Sequence, residues 1–317
     1  MSASPAVERR VVPLSGGTPS GSELVITEAR GATPGPRVAL MAGVHGCEYS
    51  SMAALTRFLR DLDPEGLAGS LICCPIVNQV SFRTRTPFVV PGDGKNLNRC
   101  FPGDPNGSPT EVLAHEIFDH LVRGADYLID MHAGDMVEAL APFALYEEAP
   151  VEDSSRQMAE AFGLPYVVRT GRSDAPIGGT ASGAAASSGI PAITAEAGGR
   201  GLLEEDAVSL HLAGLRSVLS HLGVLAGPRP TPAGGRWTVG RFVWLRSAVA
   251  GWWEARVTTG QRVGEGDLLG VVLDAFGHEV ERILSPEDGV PLFITTSPAV
   301  TADGLLLGLG ADMRPLA

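Results

Sequence analysis

His45 and Glu48 stand three residues apart, where an apolar run (residues 38–42) gives way to a glycine-containing turn and the next helix begins. Imidazole plus carboxylate suits a borderline cation such as zinc. With seven histidines in 317 residues, one such pair is a weak signal by itself. Its position strengthens it, because open α/β sheets gather their ligands beyond the carboxyl ends of strands. His132, closing the run Leu128-Ile129-Asp130-Met131-His132, is the natural third ligand. Asp130 shares its face of that strand and can accept the N–H of a ligating imidazole. A His, Glu, His set leaves a fourth position open for water, the catalytic rather than the structural zinc pattern. Asp135 is a lower-ranked rival ligand.

Hydrolysis also needs a base and a grip on the substrate. Glu196 ends another strand just before two glycines and is the candidate base, able to take a proton from water and pass it to a leaving amine. Taken alone, it would read as an exposed turn glutamate. Arg99 with Asn98 is the candidate clamp, since arginine holds a carboxylate bidentately. Arg85 or Arg83 could donate to a carboxylate or to a developing oxyanion; for Arg83, surface solvation is the simpler reading.

The elements that must position these groups alternate. Strands are expected at 23–27, 38–42, 71–77, 126–131, 165–169 and 191–195, with helices at 48–62, 110–123, 153–162 and 204–222. Residues 178–189 are small enough for a tightly packed helix, and 78–110 reads as a long, functional loop. This order argues an α/β domain with a mixed, largely parallel sheet flanked by helices, over residues 1–227. A Pro/Gly-rich linker at 228–235 leads to short strands over 236–317, a small all-β module.

Composition narrows the function classes. The chain is 44% hydrophobic and 19% charged, ordinary for a globular protein. Its net charge of -12 argues against nucleic acid or an anionic membrane as partner. No signal-like segment or spanning apolar run is present, so a cytoplasmic protein is expected. Cys47, Cys73, Cys74 and Cys100 make a poor disulfide framework and read as buried thiols. His115, His120, His211 and His221 fall on expected helices and read as structural or exposed. The stretch 180–184 lacks the lysine of a phosphate loop.

The motifs His45-x-x-Glu48, Asn96-Leu97-Asn98-Arg99-x-Phe101-Pro102-Gly103, Asp130-Met131-His132 and Thr194-Ala195-Glu196-Ala197-Gly198 together resemble the aspartoacylase/succinylglutamate desuccinylase family, relatives of the zinc carboxypeptidases. The resemblance covers nearly the whole chain. It implies one zinc on His45, Glu48 and His132, Glu196 as general base and acid, and Arg99 and Asn98 on the substrate carboxylate. It implies Arg85 polarising the scissile carbonyl, and hydrolysis of the amide of a small N-acyl amino acid or related amine. The segment 169–174 is a further candidate for substrate contact. A metallocarboxypeptidase, or a zinc-stabilised binding protein without catalysis, is the alternative. The segment 260–290 resembles the biotinyl/lipoyl hammerhead fold, but a carrier needs an acceptor lysine and none follows Lys95. That module is left with a role at the rim of the site or in a homo-oligomer interface.

Overall fold

The computed structural model describes residues 4–14, 16–171, 178–226 and 235–316. Its strands and helices run β1 (Ala6–Pro13), β2 (Glu23–Arg30), β3 (Thr33–Ala42), α1 (Tyr49–Arg60), β4 (Ala68–Cys74), α2 (Gln79–Thr84), α3 (Pro109–Ile117), β5 (Tyr127–His132), β6 (Glu138–Leu140) and β7 (Phe143–Glu147). There follow α4 (Glu152–Phe162), β8 (Tyr166–Thr170), α5 (Ala181–Ser187), β9 (Ala192–Glu196) and α6 (Glu205–His221). The last part holds β10 (Arg236–Arg246), β11 (Gly251–Ala255), β12 (Leu268–Leu273), β13 (Glu279–Leu284), β14 (Gly289–Thr295), β15 (Ala299–Val300) and β16 (Leu305–Leu316).

One mixed sheet of 12 strands carries the molecule, in the order β1-β2-β4-β3-β5-β9-β7-β8-β10-β16-β14-β6. Its centre, β4-β3-β5-β9, is parallel. This explains the unbroken apolar strand at 38–42. Val38, Leu40 and Ala42 enter one core with Leu55, Phe58, Phe162 and Leu215, while Ala39 and Met41 enter a second with Leu113, Ile117 and Leu121. A strand buried on both faces has no polar side to show. The first core lies under α1, α4 and α6; the second lies under α3 and α5.

The C-terminal strands extend this sheet. β10 pairs in parallel with β8 (Trp237 beside Tyr166), β16 and β14 continue outward, and β14 pairs with β6. A second sheet, β13-β12-β11-β15, packs its own core around Trp253, Leu269 and Leu306. The expected linker falls at 228–235, of which 228–234 lie outside the described residues.

Several elements differ from expectation. The long loop contains α2, capped by the Asn78 side chain. The helix expected at 110 starts on a Ser108–Glu111 capping box, with Pro109 at its first position. The short strands β6 and β7 were hidden by brevity. Among the described residues, no helix is long and apolar enough to cross a membrane.

Candidate active site

The parallel centre of the sheet aims its carboxyl ends at one point. β3 ends at Ala42, and the following turn carries His45 to Glu48, the residue preceding α1. Gly46 is required here by close approach, since a Cβ would lie 2.3 Å from the Ser81 carbonyl carbon of α2. β5 delivers His132 and β9 delivers Glu196, and these two are direct register partners. Asp130 and Thr194 are paired two residues earlier, so all four sit on one face of neighbouring strands.

His45, Glu48 and His132 converge, with donor atoms all within 4.8 Å of one another. The Glu48 carboxylate lies between two imidazoles, with Oε1 2.5 Å from His45 Nδ1 and Oε2 2.9 Å from His132 Nδ1. The opposite ring nitrogens are held from outside. His132 Nε2 is 3.0 Å from Asp130 Oδ2, and His45 Nε2 is 3.0 Å from Asn96 Oδ1. Both partners accept, so each imidazole turns its Nδ1 inward as a donor atom for a cation. Burial works against a charged His132, but Asp130 and Glu48 outweigh it and hold its pKa well above the usual value. The cluster is built around positive charge, and two imidazoles with one carboxylate fit zinc.

Glu196 completes the constellation. Its Oε2 is buried and unpartnered among the described residues, and desolvation pushes its carboxyl up. It lines, with the three converging groups, a cavity of about 160 Å³. Asn98 and Arg99 line the same cavity. The Asn98 carbonyl oxygen accepts from Ala181 N at 3.1 Å, and Arg99 Nη1 donates to the Asn98 backbone oxygen at 2.7 Å.

The remaining candidates are placed as follows. Arg85, in the left-handed region at the end of α2, is exposed and does not line the cavity. Arg83 is turned away onto Glu23 and the Gly21 carbonyl oxygen. Asp135 spends its oxygens on the backbone N–H groups of Phe88 and Met136, and it is not part of the converging His45, Glu48, His132 group. His211 is fully buried behind β9, its Nε2 3.2 Å from the Ala197 carbonyl oxygen. In the segment 169–174, Arg169 is paired with Glu152 and residues 172–174 lie outside the described residues.

Sequence reasoning missed Asn96, which the Asn96-x-Asn98-Arg99 spacing could have flagged. It also missed Glu138 and the apolar wall of Leu140, Phe143, Phe242, Trp244 and Phe293. Phe242, Trp244 and Phe293 come from the C-terminal strands, and no local signal ties them to a site some hundred residues away.

Comparison with known proteins agrees with this geometry. Residues 34–222 match the succinylglutamate desuccinylase/aspartoacylase catalytic domain. An N-alpha-acetyl-L-2,4-diaminobutyric acid deacetylase of Halomonas elongata is 32% identical over 201 residues, 62% of this chain and 58% of that protein. The matched part therefore spans less than two thirds of that relative. A succinylglutamate desuccinylase/aspartoacylase structure from Rhodobacter sphaeroides is 26% identical with a TM-score of 0.83, over 98% of this chain and 96% of that one. The product-bound ectoine utilization protein EutE (DoeB) of Ruegeria pomeroyi is 25% identical with a TM-score of 0.85, over 97% and 98%. The catalytic-domain match takes in more than half of the chain, which belongs to the succinylglutamate desuccinylase/aspartoacylase family.

Proposed function

We propose that the chain is a zinc-dependent amidohydrolase that removes the acyl group from a small N-acylated amino acid. The observation that carries this reading is the meeting of His45, Glu48 and His132 with the unpartnered Glu196 carboxylate in one small cavity. His45, Glu48 and His132 would hold the ion. When bound, it supplies the polarisation that makes an amide carbonyl electrophilic and water acidic.

The chain's own residues do the rest. Glu196 accepts the proton of the attacking water and returns it to the nitrogen of the departing amine, so one carboxyl serves as base and then acid. Its burial raises its proton affinity, which suits the second role. Asn98, with its carbonyl oxygen engaged, offers its N–H₂ end to a substrate carboxylate, and Arg99 supplies the charge. Arg85 would polarise the scissile carbonyl only by turning in from the mouth. Asp130 and Asn96 would position the ligating rings.

The cavity's size supports a small substrate over a peptide. At about 160 Å³ it lies below the roughly 300–1,000 Å³ that receives drug-sized ligands. Phe242, Trp244 and Phe293 of the C-terminal strands line the cavity. The Halomonas elongata relative is named as a deacetylase of an N-acetylated amino acid, which supports acetyl as the acyl group. Incubating the zinc-loaded protein with a panel of N-acetyl amino acids and short peptides tests the reading. Release of acetate is expected; release of C-terminal residues from peptides alone would overturn it.

A further inference from the structure

Glu138 lines the cavity and has no part in the chemistry above. It lies on β6, a strand of three residues. Alternation puts Glu138 and Leu140 on one face, and both line the cavity, while the intervening Ala139 does not. The backbone at this point is fixed from several sides. Glu138 N donates to the Asp135 carbonyl oxygen (2.9 Å), its own carbonyl oxygen accepts from Arg200 N (2.7 Å), and it pairs with Thr295 of β14. Gly199 permits the approach, because a Cβ there would fall 2.4 Å from the Glu138 carbonyl oxygen. The side chain is steadied as well, with Oε2 accepting from Asp135 N at 2.9 Å.

This is a preorganised carboxylate without a directly paired counter-charge among the described residues. Among the described residues its carboxylate makes no ion pair, and the positive charge it acts on at longer range is the Arg99 guanidinium. Removal from water pushes its carboxyl up to about 7, the mark of a charge that the protein alone does not compensate. Arg99 does not serve it, because in the deacylase reading Arg99 meets the substrate carboxylate. Glu48 is committed to the ion, and Glu196 to the proton. Of the cavity's carboxylates, Glu138 is the one left over.

Resting on the deacylase reading, we propose that Glu138 determines specificity: its carboxylate receives a free ammonium on the amino-acid part of the substrate, so this chain prefers N-acyl amino acids that carry a second, unacylated amine. The apolar wall fits the rest of such a molecule. Leu140 and Phe143 pack against a short methylene stem, and the faces of Phe242, Trp244 and Phe293 are compatible with a cation and repel nothing in it. A second carboxylate at the same place would meet Glu138 as like charge, which disfavours N-acyl aspartates and glutamates.

The test compares two probes that differ only in charge, Nα-acetyl-L-2,4-diaminobutyrate and its neutral isostere Nα-acetyl-L-norvaline, on the wild type and on Glu138→Gln. The wild type is expected to favour the diamino substrate in kcat/KM by about tenfold to a hundredfold, the range for a charge-assisted pair. Glu138→Gln is expected to bring that ratio near one, mainly through KM. Calorimetric binding of the free amino acids, 2,4-diaminobutyrate against norvaline, must show the same loss of preference. A Glu138→Gln protein that keeps the preference overturns the proposal. So does a variant that loses kcat equally on both probes with binding unchanged, which would place Glu138 in the chemistry. If neither probe is hydrolysed, the deacylase reading fails while the binding arm still decides the role of Glu138.

Discussion

His132 and Glu196 face each other as register partners across β5 and β9. Neighbouring strands lie about 4.8 Å apart, so His132 and Glu196 are set side by side by sheet hydrogen bonding, with no loop intervening. Replacing Glu196 by Gln keeps its shape and removes its basicity. A fall in kcat of about 10²–10⁴-fold is expected with zinc content unchanged, as read by steady-state kinetics beside metal analysis. Wild-type turnover in that variant would contradict the assignment.

Asp130 Oδ2 lies 3.0 Å from His132 Nε2. Asp130→Asn retains a side chain of the same size but weakens the hold on Nε2. A drop in zinc affinity of about 10–100-fold is expected by competition with a chelator. Activity at saturating zinc should largely return. Prolonged chelation of the wild type should abolish turnover, and added zinc should restore it.

Arg99 and Arg85 divide clearly in space. Arg99→Ala should raise KM for an N-acyl amino acid by about 10–100-fold, because it removes the one Arg or Lys side chain lining the cavity among the described residues. Arg85→Ala should have a much smaller effect. Equal losses would show that Arg85 turns inward when substrate binds.

His211 gives a stability prediction. Burial is the first cause of its pKa, which is lowered from 6.5 to about 4. Between those values the unfolded chain binds the proton and the folded chain does not. Stability therefore falls as pH drops from 6.5 toward 4, by roughly 3 kcal/mol if the shift is fully expressed. Protonation would also create a buried donor at Nδ1, which has no partner among the described residues. Melting temperature against pH should show a steep acid limb in the wild type, and His211→Gln should flatten it.

Much of the site was legible because its chemistry is carried by strand ends. Buried strands announce themselves as apolar runs, and a His, Asp or Glu at the end of such a run is conspicuous. That is how the sequence places His45, His132 and Glu196 at the carboxyl ends of strands. Asp130 followed from strand alternation alone. Arg85 was harder: it sits at a helix end within a stretch of irregular appearance, where sequence gives no direction for the side chain. Glu138 and Phe293 were invisible for a different reason. Glu138 lies on β6, which has only three residues, and Phe293 lies on β14, whose pairing with β6 is a contact between segments about 150 residues apart. Periodicity over a short window carries no information about such pairings.

That pairing has a consequence for the order in which the protein is made. His45, Glu48, His132 and Glu196 are all present once the chain has passed β9, yet one side of the cavity is still untranslated. Until β10, β16 and β14 arrive, β8 lacks its outer neighbour and β6 has no strand to hold it. A ribosome-bound intermediate could thus gather the reacting groups before it could discriminate among substrates. Selectivity would be the last property acquired, fixed only when the final strands close the sheet.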